Sequence, residues 1–505
     1  MSEDKRARWP EVVWTVLAAL WLAAFPLWQG GSYSRITRDK WLGALVLTGV
    51  SVAAAMCVSL AELNGRRRER LRLTAAHAIA AAYWGWVALS AFFGAWSDCV
   101  NAGGQKAALW GAVRYEGLWT QLSYGAVFLV MSLRPVRLRP TLYAMGAALL
   151  AFGAVTAGQY LGGNPLGLYP AGRSIYTNYE FQGTMGNIDM ISAYLSLATP
   201  ALLIGYAREG GGFFLGAGLC GAALLLCIEV QSGLLALLVL VGMLAVTLLR
   251  GPAPRRTRAA AALLGCGGCA LLRWLVVLPW LDGGEALALR SGWPWLMVGY
   301  AAVSALAIWT VRRWRGGGMS ARALLALAAA VALAVLVTAA ALPVPESAGG
   351  LWELHEVLNG RPRDEFGSWR LGAWRHTLHL TRAHPLFGLG PDTFFYALQA
   401  HLAEEGATLG EIYDNPHNLL LGVAANSGLP ALALFVALLS LVLAGCWRRR
   451  ANPASLPLAA AVLCYLTQGM FTFSICLTSP MFFAVLGMAA CAGRKDMVQS
   501  KSGKA

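Results

Sequence analysis

Residues 414–450 read DNPHNLLLGVAANSGLPALALFVALLSLVLAGCWRRR. Positions 429–447 carry no charge and end on Arg448, Arg449 and Arg450. An α-helix rises about 1.5 Å per residue, so a run of this length suits a hydrocarbon core of about 30 Å. The polar head, Asp414 to Asn418, stands at the mouth of that run.

The same pattern recurs along the chain. Apolar runs occupy 11–28, 41–61, 75–96, 118–133, 141–160, 188–206, 211–230, 233–249, 259–280, 292–311, 323–343, 429–447, 455–475 and 481–493. The composition agrees: 57% of the 505 residues are hydrophobic and 13% are charged. The mean hydropathy is +0.56. In lipid only helices or closed barrels satisfy the backbone, and runs this long predict helices. The expected fold is an all-α integral membrane protein, a polytopic helix bundle of about 14 transmembrane helices (12–14). The runs at 118–133 and 481–493 are short for spans. Residues 1–343 are expected to hold the first eleven helices. A large external loop follows at 344–416. Residues 417–493 hold the histidine-motif helix and the last spans, and 494–505 form a tail, all within one membrane domain.

Basic residues orient the bundle. Arg66 to Arg72, Arg134 to Arg139, Arg250 to Arg258, Arg312 to Arg322 and Arg448 to Arg450 fall in alternate connections. With both termini and Arg208, one side carries 27 of the 40 Lys and Arg, and the other carries 12. The positive-inside rule then predicts both termini in the cytoplasm. The first run has no small-residue cleavage site after it, so it reads as a span and not a signal peptide. The net charge of +15 is a topology signal. It is scattered over short loops, which argues against nucleic acid as a partner. The ten cysteines sit mostly inside apolar runs, with no disulfide or zinc pattern. No P-loop or dinucleotide fingerprint is present.

Polar chemistry concentrates outside. Segment 344–416, with His417 just beyond it, holds His355, His376, His379, His384, His401 and most of the external acidic residues. A loop this long has structure and function of its own. The spacing predicts a helix from Ser368, as N-cap, to Pro385, with Arg375, His379 and Arg382 on one face. Pro391 is expected to open a second helix. Both helices are short and amphipathic. In the opening stretch, Asn415 is the expected N-cap, with Pro416 at the first helical position and His417 and Asn418 in the first turn. Asn418, Gly422 and Asn426 then share a face, and Gly428 with Pro430 ends or kinks the helix. A solvated arginine stripe and a polar interface cap are the plain structural alternatives. His376 and His379 are three apart, but no third ligand for a metal is evident.

Three blocks together resemble a known family. They are His417, Asn418 and Gly428 before an apolar helix; Arg370 and Trp374 followed by HPLFGLGP at 384–391; and GTMGNIDMISAYLSLATP at 183–200. This order resembles the O-antigen ligase and Wzy-type polymerase superfamily. The chain departs from the pattern in places. YEFQ stands at 179–182 where the family often has arginine, with Arg173 upstream, and Ile188-Asp189 stands where Pro-Asn is usual.

The resemblance implies a multi-pass glycosyltransferase of the bacterial plasma membrane, with an extracytoplasmic active site. It would move a glycan from a polyprenyl-pyrophosphate carrier to a glycan, lipid or protein acceptor, with membrane lipids around it and no cofactor or required metal. His417 is then the expected base and Arg370 the expected donor to the leaving pyrophosphate. Arg375, Arg382, Asn418, Asp414, Glu180, Asn187, Asp189 and Arg173 are the expected substrate-binding residues. The rival reading is a multipass transporter or a lipid-linked glycan flippase using Glu229, Gln231 and Arg273. No internal repeat supports it.

Overall fold

The computed structural model describes residues 3–63, 73–160, 163–169, 182–277, 343–346 and 349–494, with isolated positions between 309 and 341. The spans expected at 292–311 and 323–343, together with Arg173 and Glu180, lie outside the described residues. Among the described residues every regular element is helical.

The long helices are α1 (Glu3–Ala19), which runs on through a π turn to Leu27, α2 (Ile36–Leu63), α3 (Ala75–Phe93), α4 (Leu118–Leu133) and α5 (Leu138–Tyr160). There follow α6 (Ile188–Glu209), α7 (Gly212–Ile228), α8 (Gln231–Arg250) and α9 (Ala253–Val277). Three shorter helices come next: α10 (Gly350–Leu358), α11 (Arg370–Ala383) and α12 (Phe394–Glu405). The chain closes with α13 (Leu419–Arg448), α14 (Ser455–Gly469) and α15 (Ser479–Ala492). Among the described residues seven helices are long and apolar enough to cross a membrane. The helices α4, α7, α14 and α15 are apolar but shorter.

Helix α6 is the axis of the bundle. It is buried on nearly every side and packs against α7, α8, α9 and α14. Small residues on its surface let its neighbours approach closely, the usual device in membranes. A Cβ on Gly233 of α8 would stand 2.2 Å from the Ser192 hydroxyl, and one on Gly221 of α7 would stand 2.2 Å from that of Thr199. Helices α4 and α15, whose shortness is awkward for lipid-facing spans, pack against each other, and α15 is buried along its whole length. Helix α15 faces protein, so bilayer thickness does not set its length, whereas α4 keeps an exposed side at Trp119 and Leu129.

Helix α13 is bent. Gly428 has φ 82° and ψ 170°, a conformation open only to glycine, and Pro430 follows it. The bend frees the carbonyls of Ala425 and Asn426. They accept N–H bonds from Leu389 (2.8 Å) and Gly390 (2.9 Å). Leu429 N–H donates to Pro385 O at 2.8 Å. The segment 385–390 is also tied to the end of α3. Ala95 N–H donates to Gly388 O at 3.0 Å and Trp96 N–H to Leu389 O at 2.8 Å. The HPLFGLGP block and the histidine-to-glycine block are thus two sides of one hydrogen-bonded junction.

Candidate functional site

The start of α13 differs from the expected one. Asn418, not Asn415, is the N-cap, and its Oδ1 accepts from the N–H groups of Leu420 and Leu421, both at 3.0 Å. His417 stands before the helix with φ 48°. Its N–H donates to Asn415 Oδ1 at 2.9 Å, a side-chain turn that replaces the expected helical turn. Tertiary bonds hold this turn open. Trp374 Nε1 donates to Pro416 O at 2.8 Å, and Arg114 Nε pairs with Asp414 Oδ2 at 2.5 Å.

The imidazole of His417 sits edge-on between Tyr413 (5.0 Å) and Phe473 (4.9 Å). Its Nδ1 lies 3.3 Å from Asn415 O. A carbonyl can only accept, so Nδ1 carries the proton and Nε2 keeps its lone pair. Burial lowers the pKa of His417 to about 4, and the Arg370 charge pushes the same way, while Asp414 opposes it. The ring is therefore neutral at neutral pH.

The start of α11 also differs. Ser368 does not cap it. Gly367, Ser368 and Trp369 all have positive φ (65°, 56° and 65°), and the helix begins at Arg370 without a side-chain cap. Tyr413 OH donates to Ser368 O and holds this turn against the His417 loop. Likewise Pro391 does not open α12, because Asp392 turns left-handed (φ 58°) and the helix starts at Phe394. Asp392 Oδ2 instead accepts from the N–H groups of Ala112 (2.7 Å) and Glu116 (3.1 Å), which fixes the turn carrying Arg114. Burial raises the Asp392 pKa to about 7.

Arg370 acts electrostatically on His417, Tyr413 and Asp189. The charge of Arg370, in the second sequence block, is thus felt by a residue of each of the other two. Among the described residues Arg370 makes no ion pair. Asp189 is held in the first turn of α6. Its N–H donates to the N-cap Asn187 Oδ1 at 2.7 Å, and its carbonyl accepts from Gln468 Nε2 at 3.2 Å. The preceding glycines are needed for that turn. Gly186 has φ 81°, and a Cβ there would stand 2.6 Å from Ile36 Cγ2.

Other expected residues lie further off. Arg375 is spent on Asp364 at 2.5 Å and is 65% exposed. Arg382 is exposed at the far end of α11, about 18 Å along the axis from Arg370 at 1.5 Å per residue. Asn418, Gly422 and Asn426 do share a face, and they line a cavity with Arg114, Asp392 and Asp414.

Sequence reasoning missed Arg114. Its guanidinium also stacks on Phe473 at 5.1 Å. Its partner Asp414 lies 300 residues away, and no spacing rule links them. Backbone strain marks the same place. Six non-glycine residues among those described have positive φ, and Tyr115, Ser368, Trp369, Asp392 and His417 all flank this cluster. Such residues gather where surrounding structure over-determines a functional geometry.

Residues 280–436 match the family described as O-antigen ligase. The match covers just under a third of the chain and includes Arg370 and His417. It supports membership of the O-antigen ligase and Wzy-type polymerase superfamily. No curated protein matches the chain.

Proposed function

We propose that this chain of the O-antigen ligase and Wzy superfamily is a membrane glycosyltransferase that takes a glycan from a polyprenyl-pyrophosphate carrier to an acceptor hydroxyl. The reading includes about 14 transmembrane helices, cytoplasmic termini and a site on the outer face, from the distribution of Lys and Arg. The observation that carries it is the pairing of a neutral, one-sided imidazole with an arginine that has no ionic partner among the described residues.

The acceptor oxygen attacks the anomeric carbon. The bond from that carbon to the pyrophosphate oxygen breaks, and the pyrophosphate leaves on the carrier. Arg370 stabilises the negative charge that develops there, as a fixed charged donor does best in a water-poor site. His417 Nε2 takes the hydroxyl proton. Arg370 also lowers the basicity of His417 in the empty protein. A bound pyrophosphate neutralises that field, so donor binding strengthens the base it works beside. Asn415 fixes the ring tautomer, and Arg114 with Asp414 holds the loop. Asp189 and Asn187, at the start of α6, are the candidates to grip a sugar or the acceptor. The energy is already in the glycosyl pyrophosphate, so the chemistry asks for no nucleotide.

The transporter alternative has less support. Glu229 and Arg273 pair with each other, as intramembrane charges do in any membrane protein, and the family match at 280–436 is to a ligase and not to a transporter. The test is the lipid-linked glycan pool of a deletion strain. Carrier-linked glycan should accumulate at the outer face, and Arg370→Ala should reproduce the accumulation. An unchanged pool would overturn the proposal.

A further inference from the structure

Two histidines outside the His417 cluster meet across the pair of short helices α11 and α12. His376 Nδ1 lies 3.2 Å from His401 Nε2. Glu405, one turn beyond His401, brings its carboxylate to 3.5 Å from His376 Nδ1 and 3.4 Å from His401 Nε2. The first contact is made by Oε2 and the second by Oε1, so the carboxylate spans the two ring nitrogens, and one ligand atom from each residue lies within 4.8 Å of the others. In a tetrahedral zinc site, bonds of about 2.0–2.1 Å put neighbouring ligand atoms about 3.3–3.4 Å apart. The His376–His401 edge, at 3.2 Å, is close to that length, and the half-exposed Glu405 carboxylate reaches each nitrogen with one of its oxygens.

Hydrogen bonding accounts for the cluster poorly. Two edges exceed the usual N–H···O range of about 2.7–3.2 Å. If both facing nitrogens are protonated, each can donate to its own Glu405 oxygen, but the two N–H groups then face each other at 3.2 Å, and any other tautomer leaves a Glu405 edge without a donor. Both imidazoles are buried, with side chains 5% and 9% exposed, so imperfectly bonded rings are costly there. Glu405 is 45% exposed and leaves the fourth corner open to solvent, which supplies an entry path. The sequence spacing of His376 and His379 misleads here, because His379 does not join the cluster. It stacks on His401 at 4.7 Å and 16° and fixes that ring. The ligands come instead from a second helix.

We propose that His376, His401 and Glu405 bind a zinc-like divalent cation that clasps α11 to α12. Two imidazoles and one carboxylate suit a first-row transition ion better than calcium or magnesium, which prefer all-oxygen sites. His376 lies about 9 Å along α11 from Arg370 at 1.5 Å per residue. The ion is therefore remote from the reacting atoms and acts by holding the helix that presents Arg370.

The test uses untagged full-length protein in nanodiscs, stripped with a chelator and dialysed against Zn²⁺. Bound metal is counted by atomic emission, and Co²⁺ is used as a visible probe of tetrahedral coordination. The wild type should retain one equivalent and melt higher with zinc than without it. His401→Gln and Glu405→Ala should each weaken binding by more than about tenfold, since even outer-shell partners cost that much. His355→Gln should bind as the wild type does. Glu405→Ala removes a half-exposed side chain, so it serves even if His401→Gln folds poorly. Wild-type protein that retains no zinc, or an equivalent that persists undiminished in Glu405→Ala, overturns the proposal. These readouts need no glycan substrate, so they stand apart from the transfer reading.

Discussion

Gly428→Ala tests whether the bend in α13 holds the two motif blocks together. A Cβ at Gly428 would stand 2.1 Å from Leu386 O and 2.9 Å from Pro385 O, against 3.4 Å or more for ordinary contact. Both are backbone atoms, so relief requires the 385–390 segment to move by about 1 Å. Leu429 N–H donates to Pro385 O at 2.8 Å, and Trp86 Nε1 donates to Leu386 O at 3.1 Å. Each bond lost is worth about 1 kcal/mol, and the strained backbone adds about 1–3 kcal/mol for a non-glycine residue. The expected loss is about 3–5 kcal/mol. Gly422→Ala is the control. It lies inside the same helix, and the atom nearest its Cβ is Pro416 Cδ at 4.0 Å. That change should be neutral or stabilise by about 0.5–1 kcal/mol. Thermal unfolding in nanodiscs, followed by tryptophan fluorescence, compares the two. Equal melting temperatures for Gly428→Ala and Gly422→Ala would refute the junction.

Three further outcomes are expected. Arg370→Ala should lower transfer by about 10²–10³, and lysine should restore little because it is a point charge without a planar fork. His417→Ala should cost about 10²–10⁴ with the protein still folded, and a well-expressed variant transferring at near-normal rate would remove His417 from the chemistry. The pH dependence follows from the lowered pKa of His417. The free protein should show no titration of this group near 6.5, and its kcat/KM should fall only as pH drops toward about 4. The kcat limb, which reports the donor complex, should lie at higher pH because pyrophosphate cancels the Arg370 field. For stability the sign is the same. The unfolded chain binds this proton first, so stability falls as pH drops from about 6.5 toward 4. Coincident limbs for kcat and kcat/KM near 6.5 would contradict both statements.

The helices were legible because apolar runs are long and lipid forbids most alternatives. Runs such as 188–206 and 233–249 fall within α6 and α8. The polar heads were harder. Pro416 favours a first helical position by its own φ, yet Asn418 wins the cap because Trp374 and Arg114 hold the preceding carbonyl and carboxylate. Ser368 lost its cap to a left-handed turn that Tyr413 secures from another segment. Each failure is a tertiary bond overriding a local preference. His417 stood out in its own stretch of sequence and the resemblance added Arg370 and Asp189 as candidates, while Arg114 and the His401–Glu405 pair needed the fold to bring them in.

The most direct measurement is transfer by the purified protein in proteoliposomes. Polyprenyl-pyrophosphate-linked glycan and an acceptor are supplied on the side of α11 and α12, without nucleotide. The account predicts one free polyprenyl pyrophosphate for each glycan joined to acceptor, with both products lost in His417→Ala. Lipid-linked glycan crossing the bilayer intact, with no carrier released, would contradict it.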